Sequence, residues 1–402
     1  MQSGLRIGSV FGIPLQIHPS WLIILALLTV SNGVGWQADY PDWGSGLAWG
    51  VGFVGALLLF VSVLLHELGH SLTAMAQGIE VNSITLFLFG GVASINRESK
   101  TPGKAFWVAI AGPAVSIALA LSLFGLTQVL PPDTPAQVLA LDLARINLIL
   151  ALFNLIPGLP LDGGQVLKAA VWQVTGDRFK AVRWASRSGL ILGWGAVLLG
   201  LVTVFLLQDA GGFWLTLLGW FGIQNAQSYS RLTTLQESLV KTKARDAMTR
   251  QFRVLDGALS VEVLIELYFQ ESAGFNLPYF SSTDGRYDGV LKVAAIQELE
   301  RSQWQSRSLR EFATPLDNLP TVMEEATALA VIQRMEAENL PYITVLSPAG
   351  TVAGVIDRGD LVQAVGKTLG IQFPPEEIAR IKLDAAYPPK FQLGAIAQAT
   401  DP

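Results

Sequence analysis

Apolar residues in the first 225 positions come in long blocks separated by short polar loops. A bilayer-crossing helix needs about 20 such residues. Six blocks read as membrane helices, at 18–35, 47–76, 105–130, 138–156, 189–207 and 213–225. The second is longer than a span requires and the last is short. The fourth is interrupted by Asp142, Arg145, Asn147 and Asn154, which at membrane depth should face the bundle interior. Segment 80–95 (EVNSITLFLFGGVASI) is β-rich and too short to cross. Lipid cannot pair an exposed strand, so a hairpin or small sheet is expected beside the second span, turning at Gly90 and Gly91. Segment 5–17 (LRIGSVFGIPLQI) also reads as strand and is expected to join that sheet.

After residue 228 the pattern changes to that of a soluble α/β domain rich in Glu and Arg. The expected division is a membrane domain at 1–227, a helical linker at 228–243, a soluble domain at 244–368 and a tail at 369–402. The predicted fold class is a polytopic α-helical membrane protein of about six spans, with a small membrane-associated β-element and a cytoplasmic α/β domain.

Composition supports the membrane assignment. The 402 residues are 51% hydrophobic and 15% charged, with a mean hydropathy of +0.43, which excludes an ordinary soluble protein. A net charge of −5 argues against direct nucleic-acid binding. With no cysteine, disulfides and thiolate metal ligands are both excluded. Lys and Arg fall on alternate loops: Arg97, Lys100 and Lys104, then Lys168, Arg178, Lys180, Arg183 and Arg187, then Arg231, Lys241, Lys243 and Arg245. The opposite loops carry Asp39, Asp42, Asp133 and Asp209. The positive-inside rule then places both termini and the soluble domain in the cytoplasm. Only Arg6 precedes the first block and no Ala-x-Ala site follows, so that block is expected to be an uncleaved anchor.

The second block ends in His66-Glu-Leu-Gly-His70. On a helix the two histidines are one turn apart and share a face, so both imidazoles can hold one Zn²⁺. Glu67 lies beside that face and can take a proton from water held there. The chain has three histidines and two are in this motif. A buried His-Glu-x-x-His without a role is costly, so a chance match is the weaker reading. A catalytic zinc needs a third protein ligand. Asp162, in Asn154-Leu-Ile-Pro-Gly-Leu-Pro-Leu-Asp-Gly-Gly164, is one candidate, although a turn aspartate in a Pro/Gly-rich loop explains it more simply. His18, before Pro19, is the other, although a histidine capping the first span explains it more simply.

HELGH in an apolar helix, followed by NLIPGLPLDGG, resembles the site-2 protease family of intramembrane zinc metalloproteases. The family's distal N-x-x-P-x-x-x-x-D-G pattern is matched at Asn154, Pro157, Asp162 and Gly163. The resemblance implies one Zn²⁺ per chain held by His66, His70 and Asp162, with Glu67 as catalytic base. It implies substrate contacts at Asn154 and at Gly90 and Gly91, and Ala111-Gly-Pro113 also resembles a family signature. The implied activity is regulated intramembrane proteolysis in a bacterial cell membrane. Its substrates would be transmembrane proteins such as a membrane-tethered anti-sigma factor or transcription regulator.

The soluble half contains a repeat. Asn276-Leu-Pro-Tyr-Phe280 recurs as Asn339-Leu-Pro-Tyr-Ile343, each after a helical stretch (261–270; 326–338) and before a Gly-Val strand (Gly289-Val290; Gly354-Val355). This resembles a tandem pair of CBS domains, at 244–296 and 309–365. The resemblance implies an adenine nucleotide as candidate ligand, with Asp360 in the ribose-binding position, and a homodimer through the CBS domains as a candidate assembly. Asp357 stands where a Ser or Thr is usual, and two acidic groups disfavour phosphate there. The competing function is a CBS-regulated transporter or channel whose buried His, Glu and Asp form an ion path. Ion conduction needs no Glu at the HExxH spacing, which favours the protease.

Overall fold

The computed structural model describes residues 4–87, 90–95, 98–250, 252–268, 278–389, 391–398 and 400. Arg97, Asn276 and the 269–270 end of the first helical repeat lie outside the described residues. Two compact units divide the chain, one up to Thr233 and one from Thr234 onward.

Among the described residues the first unit holds seven α-helices: α1 Ser20–Asp39, α2 Gly44–Ala76, α3 Pro102–Thr127, α4 Pro135–Asn154, α5 Asp162–Thr175, α6 Arg178–Leu206 and α7 Gly211–Lys241, the last continuing into the second unit. Local sequence sets several starts. Thr101 and Thr134 accept from the backbone N–H of Lys104 and Gln137, each followed by proline at the first helical position. Asp177 caps α6 through Lys180 N–H. Small residues let α1 and α2 meet closely, since a Cβ at Gly52 would stand 2.9 Å from Gly33 N.

Among the described residues, five helices are long and apolar enough to cross a membrane: α1, α2 with its preceding turn, α3, α4 and α6. The sixth expected span falls in α7, where the apolar stretch gives way to QNAQSYSRLTT after Ile223. Thirteen helical residues rise only about 20 Å, short of the ~30 Å hydrocarbon core. On α4, Asp142 accepts from Trp36 Nε1 at 3.2 Å, and the fully buried Asn147 donates to Ser62 Oγ at 3.0 Å. Arg145 departs from the expectation. Its side chain is 66% exposed and reaches back to Asp142 at 3.8 Å, because its long stem can lie along apolar surface while the guanidinium seeks a partner.

A four-stranded sheet completes the unit: β1 Leu5–Val10, β2 Ile13–Ile17, β3 Val81–Phe87 and β4 Gly90–Ile95, in that order. The 5–17 segment does join the hairpin, with β2 and β3 parallel and the other pairs antiparallel. Ile13, Leu15 and Ile84 pack on Leu68 of α2. Because Leu68 lies between the two motif histidines, the sheet is fixed to the helix turn that carries them. Strand β4 is an edge.

In the second unit, after the short α8 (Ala244–Ala247), one pattern occurs twice. The first copy is β5 Arg253–Asp256, α9 Val261–Tyr268, β6 Tyr279–Thr283, β7 Arg286–Leu291 and α10 Val293–Gln297, with β8 Ala313–Thr314 added to its sheet. The second is β9 Thr321–Met323, α11 Ala328–Ala337, β10 Tyr342–Leu346, β11 Val352–Asp357 and α12 Arg358–Thr368. Gly289-Val290 and Gly354-Val355 lie in the equivalent strands β7 and β11. Residues after 368 are not a loose tail. Helices α13 (Pro375–Asp384) and α14 (Leu393–Gln398) place Ile378, Ile381, Leu393 and Ala397 in the second copy's core.

Candidate metal centre

Helix α2 is apolar enough to be buried along one side, and that side ends in His66 and His70, which are 3% and 8% exposed. A buried imidazole must satisfy both nitrogens. His70 Nδ1 donates to Val108 O at 2.7 Å, and His66 Nδ1 lies 2.9 Å from Ser116 Oγ, both partners on α3. These contacts fix the rings and leave both Nε2 atoms facing inward, 3.3 Å apart.

Asp162 opens α5. Its approach loop is anchored by Leu159, which is 1% exposed, packs with Val182 and Ala185, and donates its N–H to Ala185 O. Asp162 Oδ2 therefore stands 3.1 Å from His66 Nε2 and 3.2 Å from His70 Nε2. Three lone-pair donors thus form a triangle with edges of 3.1–3.3 Å. Zinc bonds of about 2.0–2.1 Å in tetrahedral array put neighbouring ligand atoms ~3.3 Å apart. The residues fit the ion, and they form the only cluster of metal-type ligands among the described residues.

Space for an ion is kept by Gly112 of α3. A Cβ there would meet His66 Nε2 at 2.7 Å and His70 Nε2 closer still. Gly91 does the same for the carboxylate, since its Cβ would stand 2.5 Å from Glu67 Cγ. Gly90 has φ +133°, a conformation that excludes most side chains. Strand β4 can thus lie directly against Glu67, which is hydrogen-bonded to the Ala93 backbone.

Of the residues expected from sequence, His66, Glu67, His70, Asp162, Asn154, Gly90 and Gly91 come together. Asn154 Nδ2 is 3.4 Å from His66 Nε2. His18 is elsewhere employed, with Nδ1 accepting from Ser20 N–H at 3.2 Å and 2.8 Å from Ser20 Oγ, at the start of α1. Ser116 and the Val108 carbonyl were not foreseen. A serine three residues past Pro113 in an apolar helix was the available signal; a backbone carbonyl leaves none.

Asp360 lies in the second unit. It is 6% exposed, and Lys382 of α13 sits 2.5 Å from its Oδ1 and 3.1 Å from Asp357 Oδ2. Burial and the neighbouring Asp357 push its carboxyl up to about 6, against the pull of Lys382.

Peptidase family M50 matches residues 54–142 and 133–195, and the CBS domain family matches residues 309–367. A Synechocystis sp. protein named as a zinc metalloprotease is 40% identical over 365 residues, covering 91% of this chain and 96% of its own. Rip3 of Mycobacterium tuberculosis, also named as a zinc metalloprotease, is 32% identical over 368 residues, covering 91% and 93%. The solved site-2 protease of Methanocaldococcus jannaschii is 30% identical, covers 57% of this chain and 95% of its own, and has a TM-score of 0.42. The relatives imply zinc, and the His66–His70–Asp162 triangle can hold it. The chain belongs to peptidase family M50: it is a multi-pass membrane zinc metalloprotease of the site-2 type that also carries a CBS domain.

Proposed function

We propose that this protein cleaves transmembrane protein substrates within the membrane, releasing membrane-tethered regulators such as anti-sigma or transcription factors. The observation that carries the reading is the meeting of His66, His70, Asp162 and Glu67 beneath an edge strand, β4. His66, His70 and Asp162 are assigned as ligands to one Zn²⁺. When bound, the ion supplies Lewis acidity to the scissile carbonyl and to water. Glu67 takes the proton from the attacking water and delivers it to the departing amine. Asn154 Nδ2 faces the same space and is suited to donate to the carbonyl oxygen as it gains charge. A helical substrate hides its carbonyls, so it must unwind. The β4 edge, opened by Gly90 and Gly91, offers backbone groups to pair with the unwound strand.

The assigned location is a bacterial cell membrane with both termini cytoplasmic, which needs the short apolar start of α7 to complete a sixth crossing with the bilayer thinned locally to meet it. The second unit modulates proteolysis, through a homodimer or through an adenine nucleotide that competes with Lys382 for Asp360. The decisive test is Glu67→Gln, assayed with a tagged transmembrane substrate in liposomes. The amide keeps the shape and cannot accept the proton, so cleavage should vanish while zinc content stays at one per chain. Near-normal turnover would remove Glu67 from the mechanism.

A further inference from the structure

Three elements must be in register for the proposed reaction: α2 with His66, Glu67 and His70, α5 with Asp162, and the edge strand β4. The short segment 98–104, which follows β4 and includes the first turn of α3, touches both helices. Glu98 Oε2 accepts from Lys168 Nζ of α5 at 3.1 Å and pairs with Arg178 Nη2 at the start of α6 at 3.1 Å. The Lys168 side chain is only 8% exposed, whereas Glu98 is 48% exposed. A buried ammonium needs a partner, and Glu98 is the carboxylate paired with it here. Burial raises the Glu98 carboxyl, but Lys168 and then Arg178 outweigh it and hold the group below its ordinary value. Next in sequence, Ser99 Oγ donates to Gln77 Oε1 at 3.3 Å, and Gln77 Nε2 donates to Lys104 O at 3.1 Å. Gln77 is the C-cap of α2, seven residues past His70. Lys168 is six residues past Asp162 on α5, a rise of about 9 Å.

We infer that Glu98, gripped by Lys168 and Arg178, is a positioning residue that sets which peptide bond of an extended substrate lies over the metal ligands. The inference rests on the strand-pairing reading above. The clamp ties Glu98, three residues past the end of β4, to the helix that begins with Asp162, while Gln77 ties the residues that follow to the helix of His66 and His70. With both ties in place, a strand paired on β4 has one register relative to the three ligands. Released from α5, β4 can shift, and a paired strand tolerates slips of two residues because its side chains keep their faces.

The test is product mapping by mass spectrometry with full-length protein and a transmembrane substrate in liposomes. Glu98→Gln, Lys168→Met, the double variant and Lys168→Arg are compared with wild type at equal zinc content. Wild type and Lys168→Arg should cut at one bond. The other three should give added cuts about two residues away, with KM raised roughly tenfold and kcat changed far less. Because the double variant removes the buried ammonium together with its partner, leaving only the more exposed Arg178 unpaired with Glu98, it should match either single variant rather than sum them. A merely structural role lowers the active fraction and leaves the cleavage position alone. Unshifted products in all variants, with rates following the folded fraction, would overturn the clamp and leave the protease reading intact. A zinc-loaded wild type that cuts nothing would overturn both.

Discussion

Two clusters of titratable groups, one in each unit, close their charge in opposite ways. In the second unit, Asp357 and Asp360 cap α12 reciprocally, and Lys382 of the same chain sits between them. The cluster is complete without any added ion. In the first unit, the outer nitrogens of His66 and His70 are satisfied by α3, but the inner ones face each other and Asp162, with no Lys or Arg paired to them among the described residues. Three converging lone-pair donors repel unless a cation joins them. One cluster is therefore a structural latch, and the other is built around an ion from outside the chain.

The sharpest way to break that contrast is to change the ligand set. Asp162→Ala should weaken zinc binding by far more than the roughly 10–100-fold expected for an outer partner. His18→Ala should leave it unchanged, because that ring serves α1. Metal analysis of the purified variants decides it, and lost zinc in the His18 variant alone would reassign the ligands. Chelation of wild type should likewise speed amide exchange in α2 and α5 while leaving α12 and α13 as they were. Equal loosening of both regions would erase the distinction.

A smaller effect is expected from the support of His66. Ser116 is fully buried and lies 2.9 Å from His66 Nδ1. Ser116→Ala removes that partner and frees the ring to turn, so zinc affinity should fall roughly 10–100-fold. Competition with a calibrated chelator measures it. Unchanged affinity would mean that packing alone orients the imidazole.

The difference in legibility follows the same line. The metal cluster was readable because HELGH and the Asn154–Gly163 pattern are each contiguous, and helical spacing places His66 and His70 without further information. Asp162 was harder, since its position depends on how Leu159 packs against α6, which no local pattern reports. Its assignment came through family resemblance. The sheet was foreseen because lipid forbids lone strands. Ser116 was missed because one serine in an apolar helix looks like many others. The latch was missed for a related reason. Lys382 lies 22 residues beyond Asp360 in a segment without repeats, and only the amphipathic packing of Ile378 and Ile381 brings it back. Asp360 thus read as an open ligand position from sequence, while the folded chain already gives it a lysine.

The last and smallest effect concerns that lysine. Burial and Asp357 push the Asp360 carboxyl up to about 6, with Lys382 pulling the other way. An acid whose folded value lies above its unfolded value holds its proton more tightly when folded. Its contribution is complete below the ordinary value near 4 and is lost as pH rises through about 6. Amide exchange in α12 and α13, corrected for intrinsic rates, should therefore show protection falling between about pH 4 and pH 6 and levelling off above, by about 1–3 kcal/mol. Asp360→Asn cannot ionise and should flatten that slope, with Lys382 still held by Asp357 at 3.1 Å. Protection that rises with pH in wild type would mean the attraction of Lys382 outweighs burial. The latch would then be strongest fully charged, and Asp360→Asn would loosen it most at neutral pH.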